Sequence, residues 1–205
     1  MAKPKYTQFV TPTGIAKYTY LAKPQDPYQG KGDPQFKVRI LLDDTAENRA
    51  WIDKVVETGV AEAKKNGVKL KKVFQNPFKY PEDQDEDDFL PEEGKDHPKL
   101  DEDHKGRIFV EFKSKFKPGL IDSARATLPE DVKIYGGDTI RVKFELNPYE
   151  MQGSGLSLRL KVVQLIAKNT SYSGGGVNTD GFDDVEGGYV SEPGDDDEES
   201  GNEQF

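Results

Sequence analysis

A small closed β-barrel with one packed helix is the fold this sequence predicts, and three observations predict it. Apolar residues recur at every second position in four segments, a fifth segment is rich in β-forming Tyr and Thr, and one stretch switches to helical spacing. The chain is polar, with 34% apolar and 33% charged residues, but its 21 aromatic side chains can supply one core.

The first strand is read over about Gly14–Lys23, where Tyr18, Thr19 and Tyr20 cluster. In Phe36–Leu42 the inward set is Phe36, Val38, Ile40 and Leu42, opposite Lys37 and Arg39. Asp44 or Thr45 is placed to cap a helix whose apolar positions Ile52, Val55, Val56, Val60 and Ala63 follow three-and-four spacing, with Gly67 as the stop. Residues 68–105 read as an irregular insertion. In Arg107–Lys117 the inward set is Ile108, Val110, Phe112 and Phe116. Phe109, Glu111, Lys113, Lys115 and Lys117 point the other way. Thr139–Leu146 turns Ile140, Val142, Phe144 and Leu146 inward and leaves Arg141 and Lys143 outside. Leu156–Ala167 turns Leu156, Leu158, Leu160, Val162 and Ile166 inward, opposite Arg159 and Lys161. Pro24–Pro34 and Asn147–Gly155 are rich in Gly and Pro and read as loops. Five short strands, one helix and two long loops suit a mainly β OB-type domain, a five-stranded Greek-key barrel, although the helix follows the second strand instead of the third. Residues 1–173 form this domain, with an acidic insertion at 82–103. After Gly174-Gly175-Gly176 the chain to residue 205 is acidic, Gly- and Ser-rich, and is expected to be a disordered tail.

Charge distribution is the most informative feature. The net charge is -9, but Val177–Phe205 holds eleven acids and no Lys or Arg. Glu82–Asp103 holds twelve more against Lys95 and Lys99. Outside both blocks 27 cations face 15 acids, a basic body of +12. No apolar run has the length of a membrane span, and the start, MAKPKY, lacks the apolar stretch of a signal peptide. Zero Cys exclude a disulfide scaffold and a thiol nucleophile, and two His leave few metal ligands. Asp83-x-Asp85-x-Asp87 lacks the turning Gly and final Glu of a calcium loop, so no metal site and no cofactor is assigned. His97 and His104 both lie in or beside the acidic block, leaving no credible nucleophile, base and orienting acid, so no enzyme is expected.

Outward cations recur on four strands: Lys37, Arg39, Lys113, Lys115, Lys117, Arg141, Lys143, Arg159 and Lys161. Such a face would hold phosphates, although solubilising Lys and Arg look the same one at a time. Binding a single strand also needs aromatic platforms for bases. Tyr18, Tyr20, Tyr28, Phe109 and Tyr149 are the candidates, Tyr149 foremost because Pro148 fixes it in a loop. The tail's Asp195, Asp196, Asp197, Glu198 and Glu199, followed by the terminal Phe205, combine an acidic run with one apolar plug, a handle for other proteins. Two other classes use the same acids: a DNA-mimicking inhibitor of a DNA-binding enzyme, and a metal-dependent nuclease.

Several stretches, in order, resemble the single-stranded DNA-binding proteins of T7-type bacteriophages. They are Met1-Ala2-Lys3, Tyr18–Pro24, the Gly-x-Pro turn before Phe36-Lys37-Val38, Ile134-Tyr135-Gly136-Gly137 before Ile140–Lys143, Asn147-Pro148-Tyr149, Leu158–Leu165, and the acidic tail ending in Phe205. The resemblance implies an OB fold that coats and anneals single-stranded DNA and contacts the phage DNA polymerase and primase-helicase through its tail. It implies roles for Lys3, Lys113 and Tyr149 in binding. Gln35 stands where the family places an arginine, and Met151 where it can offer Trp. Sign complementarity between tail and body also makes a homodimer an expectation. The cytoplasm of an infected bacterium is the expected location, with no membrane partner.

Overall fold

The structure is a computed structural model that describes residues 6–27, 30, 32–71, 74–90, 98–150 and 153–169. Among them eight strands form one sheet: β1 (Gln8–Val10), β2 (Gly14–Gln25), β3 (Gln35–Asp43), β4 (Phe78–Lys79), β5 (Arg107–Ser114), β6 (Gly119–Ile121), β7 (Thr139–Tyr149) and β8 (Gly155–Ala167). The helix α1 spans Ala46–Lys65. The five strands read from the sequence are β2, β3, β5, β7 and β8, and these five close a ring. β2 pairs with β3, and β3 with β5. β5 meets β8 in parallel at Lys113↔Arg159, β8 pairs with β7, and β7 returns to β2 at Gly14↔Ile140. That ring is the OB-like barrel expected. β1, β4 and β6, with two or three residues each, are too short to show a period and were not foreseen.

The barrel is filled from the expected faces. Val38, Ile40, Leu42, Ile108, Val110, Phe112, Ile140, Val142, Phe144 and Leu146 are fully buried, each such burial contributing about 1.5–3 kcal/mol. The loops are shorter than expected, because β2 runs on to Gln25, β7 runs to Tyr149 and β8 begins at Gly155.

Four inward assignments, Val162, Ile166, Phe116 and Val60, fail for identifiable reasons. In β8 Lys143 faces Val162 but Phe144 faces Leu160, so Lys161 is an extra residue, a β-bulge that inverts the phase beyond it. Val163 and Leu165 are therefore buried, while Val162 is only half-buried and Ile166 is exposed. Phe116 lies past the end of β5, where Ser114 has taken the last inward position, and is 79% exposed. In the helix, Gly59 and not Val60 faces the barrel: a Cβ on Gly59 would stand 2.7 Å from Leu156 Cδ1.

Thr45 caps α1, its side chain accepting the Asn48 N–H at 3.2 Å. Asp44, the other candidate, instead pairs with Arg49 at 2.6 Å. Ile52, Val55 and Ala63 are buried with Gly59, and Trp51 meets Phe144 and Phe78 edge-on at 6.2 and 5.9 Å. The helix ends at Asn66, and Gly67 follows at φ +71°, a conformation that costs Gly least. The acidic insertion is structured where it is described. 3₁₀ turns form at Pro81–Asp83, Glu86–Phe89 and Glu102–His104, β4 pairs with β5, and Arg49 ties Glu82 to Asp44.

Candidate nucleic-acid interface

The outer faces of β2, β3 and β5 carry the first group of expected residues. In β2, Ala16 and Leu21 both point inward although they stand five positions apart, an odd offset, so strict alternation must break between them. It breaks at a bulge with Tyr18 at φ +47°, which turns Tyr18 and Tyr20 outward, each just over one-third exposed. On β3 and β5 the register sets Lys37 against Lys113 and Arg39 against Glu111.

Glu111 organises these cations. Its carboxylate lies 2.7 Å from Lys113 Nζ, 2.9 Å from Lys37 Nζ and 3.8 Å from Arg39 Nη2. Burial pushes its pKa up, but hydrogen bonds from Lys113 and Lys37 outweigh that and hold it below the usual carboxylate range. Glu145 does the same two strands further round, on β7, pairing with Arg159 at 3.0 Å and Lys161 at 3.2 Å of the intervening β8. Lys115 pairs with Asp33 of the β2–β3 connection. Arg141 is half-buried and its Nε donates to Thr11 O at 3.2 Å, so it lies partly under the segment that follows β1. Lys143 is exposed on β7 between Val10 and Val162. On the strands, Lys37, Arg39, Lys113, Arg141, Lys143, Arg159 and Lys161 thus stand against Glu111 and Glu145, a clear positive excess.

One end of this face is covered by the insertion. His104 is fully buried, its ring stacked on Tyr18 at 6.0 Å and edge-on to Phe109 at 5.1 Å. Arg39 can only donate, so its 3.1 Å contact makes His104 Nε2 an acceptor and leaves the proton on Nδ1, which donates to Asp101 Oδ1 at 2.7 Å. The Arg39 guanidinium lies 4.8 Å over both the Tyr18 and Phe109 rings, and Lys17 pairs with Asp101 and Asp103.

Tyr149 sits at the end of β7 and not in a loop, because Pro148 is buried within the strand. Its hydroxyl donates to Gln75 Oε1 at 2.8 Å, and Gly155 leaves room for it: a Cβ there would stand 2.7 Å from that oxygen. Sequence reasoning missed Glu111, Glu145, His104, Gln75 and Phe116. For the two Glu a signal existed, since both occupy outward positions among cations. Lys3, Tyr28, His97 and the tail residues Asp195, Asp196, Asp197, Glu198, Glu199 and Phe205 lie outside the described residues. Among those described, no helix is long and apolar enough to cross a membrane.

The fold has solved counterparts. The single-stranded DNA-binding protein of bacteriophage Enc34 in complex with ssDNA superposes with a TM-score of 0.58 at 17% identity, over 79% of this chain and 87% of that one. Another structure of the single-stranded DNA-binding protein from bacteriophage Enc34 gives 0.55 at 19%, over 86% and 90%. Gp2.5, a single-stranded DNA-binding protein encoded by bacteriophage T7, gives 0.54 at 23%, over 86% and 99%. No curated protein matches the sequence. The family described as Enterobacter phage Enc34, ssDNA-binding protein, matches residues 7–196, nearly the whole chain, and to that family of phage single-stranded DNA-binding proteins this chain belongs.

Proposed function

We propose that this protein binds single-stranded DNA without sequence preference and without catalysis. The observation that carries this reading is the outer face of β3, β5 and β8, where Lys37, Lys113, Arg159 and the adjoining Lys115 stand side by side on an OB-like ring. Phosphates meet these cations, and bases meet aromatics, half-buried Tyr149 and exposed Tyr20 among them. The protein protects and anneals single strands during phage DNA replication, recombination and repair, in the cytoplasm of the infected bacterium. The acidic tail with Phe205 recruits the phage DNA polymerase and primase-helicase, and the protein works as a homodimer. The DNA-mimic alternative has less support, because Glu82, Asp88, Asp101 and Asp103 are taken up by the chain's own Arg49, Lys99 and Lys17.

Fluorescence anisotropy of a labelled oligonucleotide across a salt series, with duplex competitor, tests the reading. Four phosphate contacts set the steepest slope of log K against log salt at about -2.8, at about -0.7 per contact, and each cation still held by its own carboxylate makes the wild-type slope shallower. No binding to single strands at low salt refutes it.

A further inference from the structure

We infer that Phe116 is a further base-stacking platform of this face, seating a base of a single-stranded nucleic acid in the groove between the end of β5 and β8. The inference rests on the proposed single-strand binding and locates where a base is read.

The aromatics at the opposite end are already engaged. A base reaching Tyr18 or Phe109 must displace a buried imidazole, an Arg39 guanidinium and the Lys17 pairs to Asp101 and Asp103. Tyr20 carries the Lys37 ammonium 5.9 Å from its ring centre. Phe116 has no ring or cation partner among the described residues, and at 79% it is the most exposed large apolar side chain among them. A lone exposed aromatic needs no explanation by itself, but the place of this one does.

That place is prepared for a nucleotide in three ways. The backbone is pinned, since the Phe116 N–H donates to Ser114 Oγ at 3.0 Å and Pro118 is buried two residues on. Phosphate partners flank the ring, with exposed Lys115 and Lys117 on either side in sequence and Lys113 and Arg159 facing each other across the parallel contact. Space is available: Phe116 borders a groove of about 650 Å³ that includes Leu156 and Leu158, within the size range of ligand sites. A second groove of about 510 Å³, bordered by Gly32 and Asp33, shares Gln35 and Lys113 with the first, so the two form one track across β3 and β5.

The full-length chain with Phe116→Ala, Phe116→Trp or Tyr18→Ala, each first checked for an unchanged melting temperature, is titrated into labelled oligothymidylate. Phe116→Ala weakens binding by about 5- to 150-fold, the range of one lost base stack, with no change in salt slope because no phosphate contact is lost. Phe116→Trp keeps the affinity, and Tyr18→Ala changes it less than Phe116→Ala does. Phe116→Ala binding within twofold of a wild type that itself binds overturns the inference and leaves the function standing. A wild type that fails to bind overturns both. If sedimentation shows Phe116→Ala turning a dimer into a monomer at unchanged DNA affinity, the ring serves a second copy of the chain and the inference fails.

Discussion

Replacing Glu111 by Gln removes the charge at the centre of the cationic face and keeps the side chain's shape. Lys113 and Lys37, at 2.7 and 2.9 Å, lose their carboxylate partner and become available to phosphates. Two added contacts steepen the salt slope by about -1.4. Referred to a common affinity near 1 M salt, that slope makes the variant about 25-fold tighter at about 0.1 M. The wild-type carboxyl is held below its usual range, chiefly because hydrogen bonds from Lys113 and Lys37 exceed the opposing effect of burial, so it is ionised at neutral pH and the comparison is between full charge and none. The fold is expected to weaken, since Arg39 and both Lys then face one another without an anion. At this size each kcal/mol of loss lowers the melting temperature by about 2–4 °C. The assay is anisotropy of wild type and Glu111→Gln against one oligonucleotide across a salt series, with thermal melts alongside. Parallel salt lines from two folded proteins show that Lys37 and Lys113 do not meet phosphates, and refute the reasoning.

Three further outcomes are expected. Burial pushes the His104 pKa down, against the upward pull of Asp101, so the unfolded chain takes up a proton first as pH falls below about 6.5. The stability held by neutral His104 is present above that pH and lost as pH falls through the depressed folded-state value. Urea unfolding at pH 7.5 and 5 shows a larger acid loss for wild type than for His104→Gln, and equal losses refute the assignment. Ending the chain at Gly176 removes eleven acids, and anisotropy then shows tighter single-strand binding at low salt. Unchanged affinity there shows that the tail does not compete with DNA. Phe144→Ala empties a fully buried site touching Trp51, Phe112 and Phe9. It costs about 3–5 kcal/mol in urea unfolding, and a loss below about 1 kcal/mol refutes its place at the centre of the core.

The ring was legible because inward and outward positions differ so sharply in chemistry: Ile140, Val142, Phe144 and Leu146 against Arg141, Lys143 and Glu145 leave one reading for β7. Legibility failed where the backbone leaves strict alternation. The extra residue Lys161 moves burial from Val162 to Val163, and Tyr18 in a left-handed conformation turns outward from a position that alternation assigns to the core. A period read from residue types carries no record of a bulge, because the bulge depends on the partner strand. The insertion was opaque for a different reason. It buries single side chains, Leu100 in the bend before the last 3₁₀ turn and His104 within that turn, at no repeating interval, so a solvated acidic run and a folded cover have the same composition.

The ion pairs of the face also set the direction in which a single strand is most easily accepted. At the covered end Lys17 and Arg39 have side chains only 17% exposed, and their partners include a buried His104. At the other end Lys113, Lys115 and Arg159 are 53%, 62% and 48% exposed; Asp33 is itself open to water, and Glu111 and Glu145 keep second cations, Lys37 and Lys161, when a phosphate draws the first away. Exposed pairs are worth about 0–1 kcal/mol, because water screens them and fixing long side chains costs entropy. Separating the partners of a buried pair leaves a charge without compensation and costs several times more. A strand bound as proposed would exchange its phosphates with carboxylates where the exchange costs least, along Lys113, Lys115 and Arg159. The acidic insertion, although it lowers the net charge of the chain, leaves that edge open. It packs on Tyr18 and Phe109 instead, so the contacts that engage these two rings would direct a strand bound as proposed toward the groove beside Phe116.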